Sequence, residues 1–185
     1  HFDLKKYKQL DLGLVQRPGN EVVDSALSWL EKNQREPFFA WVHLYDPHLP
    51  YQPPEPYLSR YNYSPPISLY DGEIAFMDEQ IGRLSKWLKA NGLGEKTIMV
   101  LVGDHGEGLG EHGELAHGYF IYDYAVHVPL IISTPDKRFQ GKRVSLEVST
   151  VDIFPTVAEL AGLEARTSQG RSLVQIMAGR KEKEI

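Results

Sequence analysis

The sequence predicts an α/β fold, a mainly parallel sheet flanked by helices. Three observations carry this expectation. Phe38–Val42, Ile98–Val102 and Val128–Ile132 are short, nearly continuous apolar runs bounded by turn residues, the pattern of strands buried on both faces. Other segments place apolar residues at steps of three and four, the pattern of amphipathic helices. The two kinds of segment alternate along the chain, which favours crossover connections.

Residues 1–19 are polar and broken by Gly13, Pro18 and Gly19, so they read as a loop leading into the domain. Asn20 is placed to cap a helix through Val23, Ala26, Leu27 and Leu30, which Pro37 stops. The strand Phe38–Val42 comes next. Residues 46–66 hold seven prolines, too many for a helix or central strand, and Tyr51, Tyr57, Tyr61 and Tyr63 interleave with them. A long ordered loop is expected there. Ile74, Met77, Ile81, Leu84 and Leu88 then mark a helix with Asp71 near its start and Asn91-Gly92 at its end. The strand at 98–102 leads into a glycine-rich stretch from 103 to 118. Beyond it come a strand at 128–132, an edge strand at 143–148 and a helix at 152–161. No internal repeat or linker divides residues 20–178, and 179–185 read as a charged, solvated tail.

Composition narrows the function classes. With 185 residues, 42% hydrophobic and 24% charged, the chain can form one domain with a core, or a large piece of a bigger one. The net charge of −5 and the lack of a basic block speak against a nucleic-acid partner. No apolar run reaches membrane-spanning length. Cysteine is absent, which removes disulfides, thiolate ligands and a cysteine nucleophile from these residues. The first residue is His1, so the sequence is expected to be a piece of a longer protein.

The chemistry concentrates at expected strand ends. Asp104 and His105 come just past the 98–102 run and its closing Gly103, where ligands bind in parallel α/β sheets. Together they offer one oxygen and one nitrogen to a divalent ion, or else a capped turn with an exposed imidazole. His48, in Asp46-Pro47-His48-Leu49-Pro50, sits on a backbone restricted by proline on both sides. It suits an anion contact or proton donation to a leaving oxygen, and equally a rigid surface turn. His117 can meet a tetrahedral anion or hydrogen-bond to backbone. His112 offers a metal ligand or a structural contact. His43 alternates with core residues and reads as a buried or supporting group, with Asp46 and Glu107 as further supporting carboxylates. Gly108-Leu109-Gly110-Glu111-His112-Gly113 matches a dinucleotide-binding pattern, but Glu107, Glu111 and Glu114 crowd the pyrophosphate position and no apolar helix comes after it.

Six segments in order and spacing resemble the sulfatase family of the alkaline-phosphatase superfamily. They are Pro37-Phe38-Phe39-Ala40-Trp41-Val42-His43-Leu44-Tyr45-Asp46-Pro47-His48-Leu49-Pro50-Tyr51, then Tyr70-Asp71-Gly72-Glu73-Ile74-Ala75-Phe76-Met77-Asp78, and Asp104-His105-Gly106-Glu107. His117-Gly118, Val126-His127-Val128-Pro129-Leu130 and Asp152-Ile153-Phe154-Pro155-Thr156 complete the set. The resemblance covers about residues 20–175. It implies an alkaline-phosphatase-like doubly wound sheet and hydrolysis of sulfate or phosphate esters. The nucleophile of such enzymes is a formylglycine or an unmodified Thr or Ser, and one or two divalent metals hold the ester oxygens. By position, Asp104 and His105 match the metal-binding pair, His48 the histidine that contacts the sulfate or assists the leaving group, and His117 the Lys or His set against the anionic oxygens.

Departures from the family pattern sharpen the expectation. Asp104-His105 stands where many sulfatases have Asp-Asn, a form similar to phosphonate- and phosphodiester-cleaving relatives, and an imidazole ligand moves preference from Ca²⁺ towards Mn²⁺ or Zn²⁺. His127 stands where Arg is common. No Cys-x-Pro-x-Arg occurs, so no nucleophile is expected in this chain, half of the metal site is expected elsewhere, and the N-terminal half of the domain is the expected partner. The sequence therefore predicts a metal-dependent sulfatase-like hydrolase, inactive as this piece alone. The alternatives are a phosphonate or phosphodiester hydrolase, a phosphoglycerol transferase, or a catalytically dead binding relative. The compartment is not readable from these residues, although the resemblance fits an extracytoplasmic one.

Overall fold

A computed structural model describes residues 16–117 and 120–180. Most of the loop expected at 1–19, most of the charged tail and Gly118 lie outside the described residues. The chain divides into two compact units. The first holds residues up to Leu88 together with Glu107–Phe120; the second holds Lys89–Gly106 together with residues from Ile121 onward.

In the first unit, α1 spans Gly19–Asn33 and α3 spans Ile67–Ala90, with the one-turn helix α2, Tyr57–Arg60, between them. Val23 and Leu30 of α1 are buried, as the apolar spacing requires. Asn20 is not the cap: the helix starts one residue earlier, on the Pro18 carbonyl, which accepts from the backbone N–H groups of Glu21 and Val22. The Asp46 carboxylate instead lies at this helix start, where the Gly19 amide favours its charged form.

The helix α3 begins four residues before Asp71, and its buried face differs from the expected stripe. Ser68, Gly72, Glu73, Phe76 and Gln80 are buried; of the expected stripe Leu88 is buried too, whereas Ile74 is exposed. The cause is the proline-rich loop, which lies on this polar-looking face. Gly72 is required there, because a Cβ would stand 2.9 Å from Cγ of Pro53. Tyrosines tie the loop down. Tyr57 packs edge-on against Phe76 with its hydroxyl on Glu79, Tyr51 packs on Tyr70 at 5.4 Å, and Tyr63 donates to Asp71.

Residues 38–42, expected as a buried strand, enter no ladder among the described residues. Phe38 packs edge-on against Trp29 of α1, but Phe39 and Trp41 are 77% and 82% exposed. Two short strands, β2 (Gly108–Leu109) and β3 (Leu115–Ala116), form an antiparallel hairpin around a single 3₁₀ turn at Glu111–Gly113.

In the second unit, β1 (Met99–Val102) pairs with β4 (Leu130–Ser133) from Met99 opposite Ser133 to Val102 opposite Leu130. The pairing is antiparallel, so the described strands do not form the expected mainly parallel sheet. Each ladder among them is a two-stranded pair, and a parallel sheet needs further strands that run alongside. The edge strand expected at 143–148 is also absent; those residues are exposed and unpaired in any sheet.

The last expected helix is present as a 3₁₀ turn, Thr150–Asp152, running into α5, Ile153–Leu160. Here the Asp152-Ile153-Phe154-Pro155-Thr156 segment acts as a structural knot. The Asp152 carboxylate accepts from the backbone of Ser149 at 3.0 Å and of Arg171 at 2.9 Å. Thr156, fully buried, donates to the Asp152 carbonyl at 2.6 Å and accepts from the Leu173 amide at 2.8 Å. The last helix, α6 (Val174–Met177), is thereby fastened to α5.

Candidate active site

The first unit gathers several of the expected residues. His48 sits between the cis bonds Asp46–Pro47 and Leu49–Pro50. Its backbone N–H donates to Glu73 Oε2 at 3.1 Å, and Gln52 donates to the other oxygen of the same carboxylate at 2.6 Å. Glu73 thus pins both sides of the loop to α3. Burial pushes its carboxyl up to about 7, against the lowering effect of the two amides, and the neighbouring Asp46 charge adds to the rise. Burial also raises Asp46 above the ordinary carboxylate range, while the amides of Asp46 itself and of Gly19 pull it back.

The His48 ring is held as firmly as its backbone. Nδ1 lies 2.6 Å from the Leu49 carbonyl and so donates to it. Nε2 is left facing the Tyr45 hydroxyl at 3.3 Å, and the Tyr45 ring covers the imidazole at 4.4 Å between centroids. Beside it opens a cavity of about 530 Å³ with walls that include Tyr45, Asp46, Tyr57, Glu73 and Gln80.

His117 comes directly after β3 in the same unit, with its ring 6.0 Å from that of His48. Glu107 stands behind it, its Oε1 3.6 Å from His117 Nδ1 and its Oε2 accepting from Tyr51 at 2.9 Å. Burial first, then this hydrogen bond and the Glu107 charge, push the Tyr51 phenol up, so Tyr51 remains a donor. His48 and His117 therefore share one neighbourhood. His43 does not fit the core role expected from its alternation: its side chain is exposed, because it falls on the same uncovered face as Phe39 and Trp41. His112 is also exposed, on a left-handed backbone with φ of 56° inside the 3₁₀ turn.

Asp104 and His105 belong to the second unit, at the carboxyl end of β1 as expected. Asp104 Oδ1 accepts from the His105 backbone at 3.0 Å, and its Oδ2 lies 4.0 Å from His105 Nε2. His105 Nδ1 donates to the Gly106 carbonyl at 2.9 Å, which orients the ring. Gly106 anchors the turn by donating to the Ala125 carbonyl at 2.8 Å; a Cβ there would lie 1.9 Å from the Tyr124 carbonyl oxygen, so only glycine fits. Ala125 belongs to α4, Asp123–Val126. One carboxylate oxygen and one imidazole nitrogen on a fixed turn suit a divalent cation as two of its ligands. No group of three or more His, Cys, Asp or Glu side chains that could hold a metal occurs among the described residues.

Glu73, Tyr45 and Tyr51 are site groups that single-residue inspection of the sequence misses. The signal lies inside the family-like segments, since Glu73 comes after Gly72 within an otherwise amphipathic helix, and Tyr51 closes the proline-flanked His48 segment.

Comparison with known proteins identifies the family of the chain. The Sulfatase family model matches residues 13–163. A sulfatase of Formosa agariphila is 27% identical over 202 aligned positions, covering 86% of this chain and 39% of that protein. Human iduronate 2-sulfatase is 36% identical over 119 positions, covering 51% of this chain and 22% of its own length. The crystal structure of the phosphonate monoester hydrolase of Agrobacterium radiobacter superposes with a TM-score of 0.80 at 25% identity, over 90% of this chain and 44% of that one. The chain thus spans about two fifths or less of these two curated relatives. The six ordered segments, the fold and the family match lead to one conclusion: the chain belongs to the sulfatase family.

Proposed function

We propose that these residues form the carboxyl-terminal part of a catalytic domain that hydrolyses sulfate esters, with residues 20–178 as the part of that domain present here. The observation that carries this reading is the family match across residues 13–163, a span that contains His48, Asp104, His105 and His117 together. Asp104 and His105 would supply an oxygen and a nitrogen to a divalent cation, which when bound provides positive charge and Lewis acidity for the ester oxygens. His117 contacts the anionic oxygens of the ester, and His48, with Nδ1 committed to the Leu49 carbonyl, offers Nε2 to the leaving oxygen. The nucleophile and the remaining metal ligands come from polypeptide outside these residues, so this chain alone is inactive. The cavity beside His48 receives the alcohol half of the substrate.

A second reading, phosphonate or phosphodiester hydrolysis on the same fold, is favoured by the Agrobacterium phosphonate monoester hydrolase similarity and by His105 at the second ligand position. Both readings are tested in the complete polypeptide, meaning these residues joined to the remainder of a sulfatase domain. Aryl sulfate, phosphate diester and phosphonate monoester are compared with and without a chelator. The expected result is highest kcat/KM on the sulfate, abolished by chelation and restored by added divalent metal. A preference for phosphonate by about tenfold or more would select the second reading, and turnover indifferent to chelation would refute the metal role of Asp104 and His105.

A further inference from the structure

We propose that Glu107 and Tyr51 are positioning residues that fix which ring nitrogen His117 turns toward the substrate. This rests on the assignment of His117 as an ester contact. The Glu107 side chain is only 7% exposed, yet its buried Oε1 has no hydrogen-bond partner among the described residues. A buried carboxylate oxygen without a donor is rare in folded proteins and calls for one. Nδ1 of His117 lies 3.6 Å from that oxygen, a separation that tightens into a hydrogen bond with a small movement of the ring.

The other oxygen is already committed. Oε2 accepts from Tyr51 at 2.9 Å, and Tyr51 is buried against the ring of Tyr70. Its phenol is pushed well above its ordinary range by burial and by the Glu107 hydrogen bond, so it donates throughout the working pH range. Tyr51 therefore sets the plane of the carboxylate, and the carboxylate presents Oε1 to His117. With Nδ1–H held by Glu107, Nε2 is the ring nitrogen that carries no proton in the neutral tautomer. A carboxylate behind an imidazole is a general means of setting tautomer and ring orientation. The Tyr51–Glu107 contact alone extends over 56 residues of sequence, from the proline-rich loop to the strand-end segment, so no local pattern would announce it.

The test uses Glu107→Gln, which keeps the shape and loses the charge, and Tyr51→Phe, which keeps the buried ring and loses the hydroxyl. In the complete polypeptide labelled at histidine, long-range proton–nitrogen spectra read the His117 tautomer. The wild type is expected to show Nδ1–H, and both variants a redistribution between nitrogens. Turnover of aryl sulfate is expected to fall about 100-fold in Glu107→Gln and about tenfold in Tyr51→Phe, mainly in kcat, as for a misoriented reacting group. His117→Ala separates the two ideas. If it retains wild-type turnover, the ester-contact assignment fails. If it loses turnover while both other variants keep wild-type kinetics and an unchanged His117 tautomer, the positioning proposal is overturned. Should Glu107→Gln not fold, Tyr51→Phe decides by the same two readouts.

Discussion

Glu73 carries two backbone hydrogen bonds from the loop that holds His48, and it does so from a buried site. Its carboxyl titrates at about 7 in the fold instead of near its ordinary 4.5, so between those values the folded protein keeps a proton that the unfolded chain has released. Stability from this group is therefore fullest toward pH 4.5 and is lost as the pH rises through about 7. Asp46, also raised by burial, acts in the same sense. The urea midpoint is accordingly expected to fall between about pH 5 and about pH 8 in the wild type, and the fall to shrink in Glu73→Gln; an unchanged slope would refute the assignment. At this scale the sequence is legible where position along a strand decides the matter. Asp104 and His105 stand out because an apolar run must end, and residues just past a strand end are the ones an α/β reading assigns to ligand contact. Glu73 does not, because helical periodicity classes a glutamate between apolar positions as solvent-facing. Its burial comes from a loop more than twenty residues away in sequence, through Gln52 and His48.

Among the elements, α1 and α5 follow their apolar spacing and β1 and β4 their short apolar runs, while α3 forms where its spacing predicts but buries a more polar face. Their boundaries answer to tertiary contacts instead. Asn20 loses the capping role because a carboxylate from the His48 loop reaches the helix start, and α3 extends back to Ile67 under the proline-rich loop. The junction of α5 and α6 depends on one hydroxyl: Thr156 bonds both the Asp152 carbonyl and the Leu173 amide at a site with no solvent exposure. Thr156→Val keeps the volume and strands that amide, so a loss of about 1–3 kcal/mol is expected. Equilibrium urea denaturation measures it, and a change within about 0.5 kcal/mol would show that the knot is not what fastens α6.

For the whole molecule, the fold class is legible only in part. Alternation of helix and strand, together with the six family segments, identifies the sulfatase fold that the comparisons bear out. Strand direction is not legible, because a run such as Phe38–Val42 carries no information about its neighbours. Among the described residues it has no partner strand, and its Phe39 and Trp41 face is bare. A bare aromatic face of this kind is what a strand buried on both sides would present when one covering layer is not supplied. On the proposed reading, that layer belongs to the remainder of the sulfatase domain. The same proposed reading assigns ester chemistry to the neighbourhood of His48 and His117. His48 and His117 share one neighbourhood, with Tyr45 and Glu107 beside their rings. The direct measurement is steady-state hydrolysis of an aryl sulfate by the complete polypeptide carrying His48→Ala together with His117→Ala. The account predicts a fall of at least about 100-fold in kcat/KM with folding retained. Turnover at the wild-type level in that double variant would contradict it.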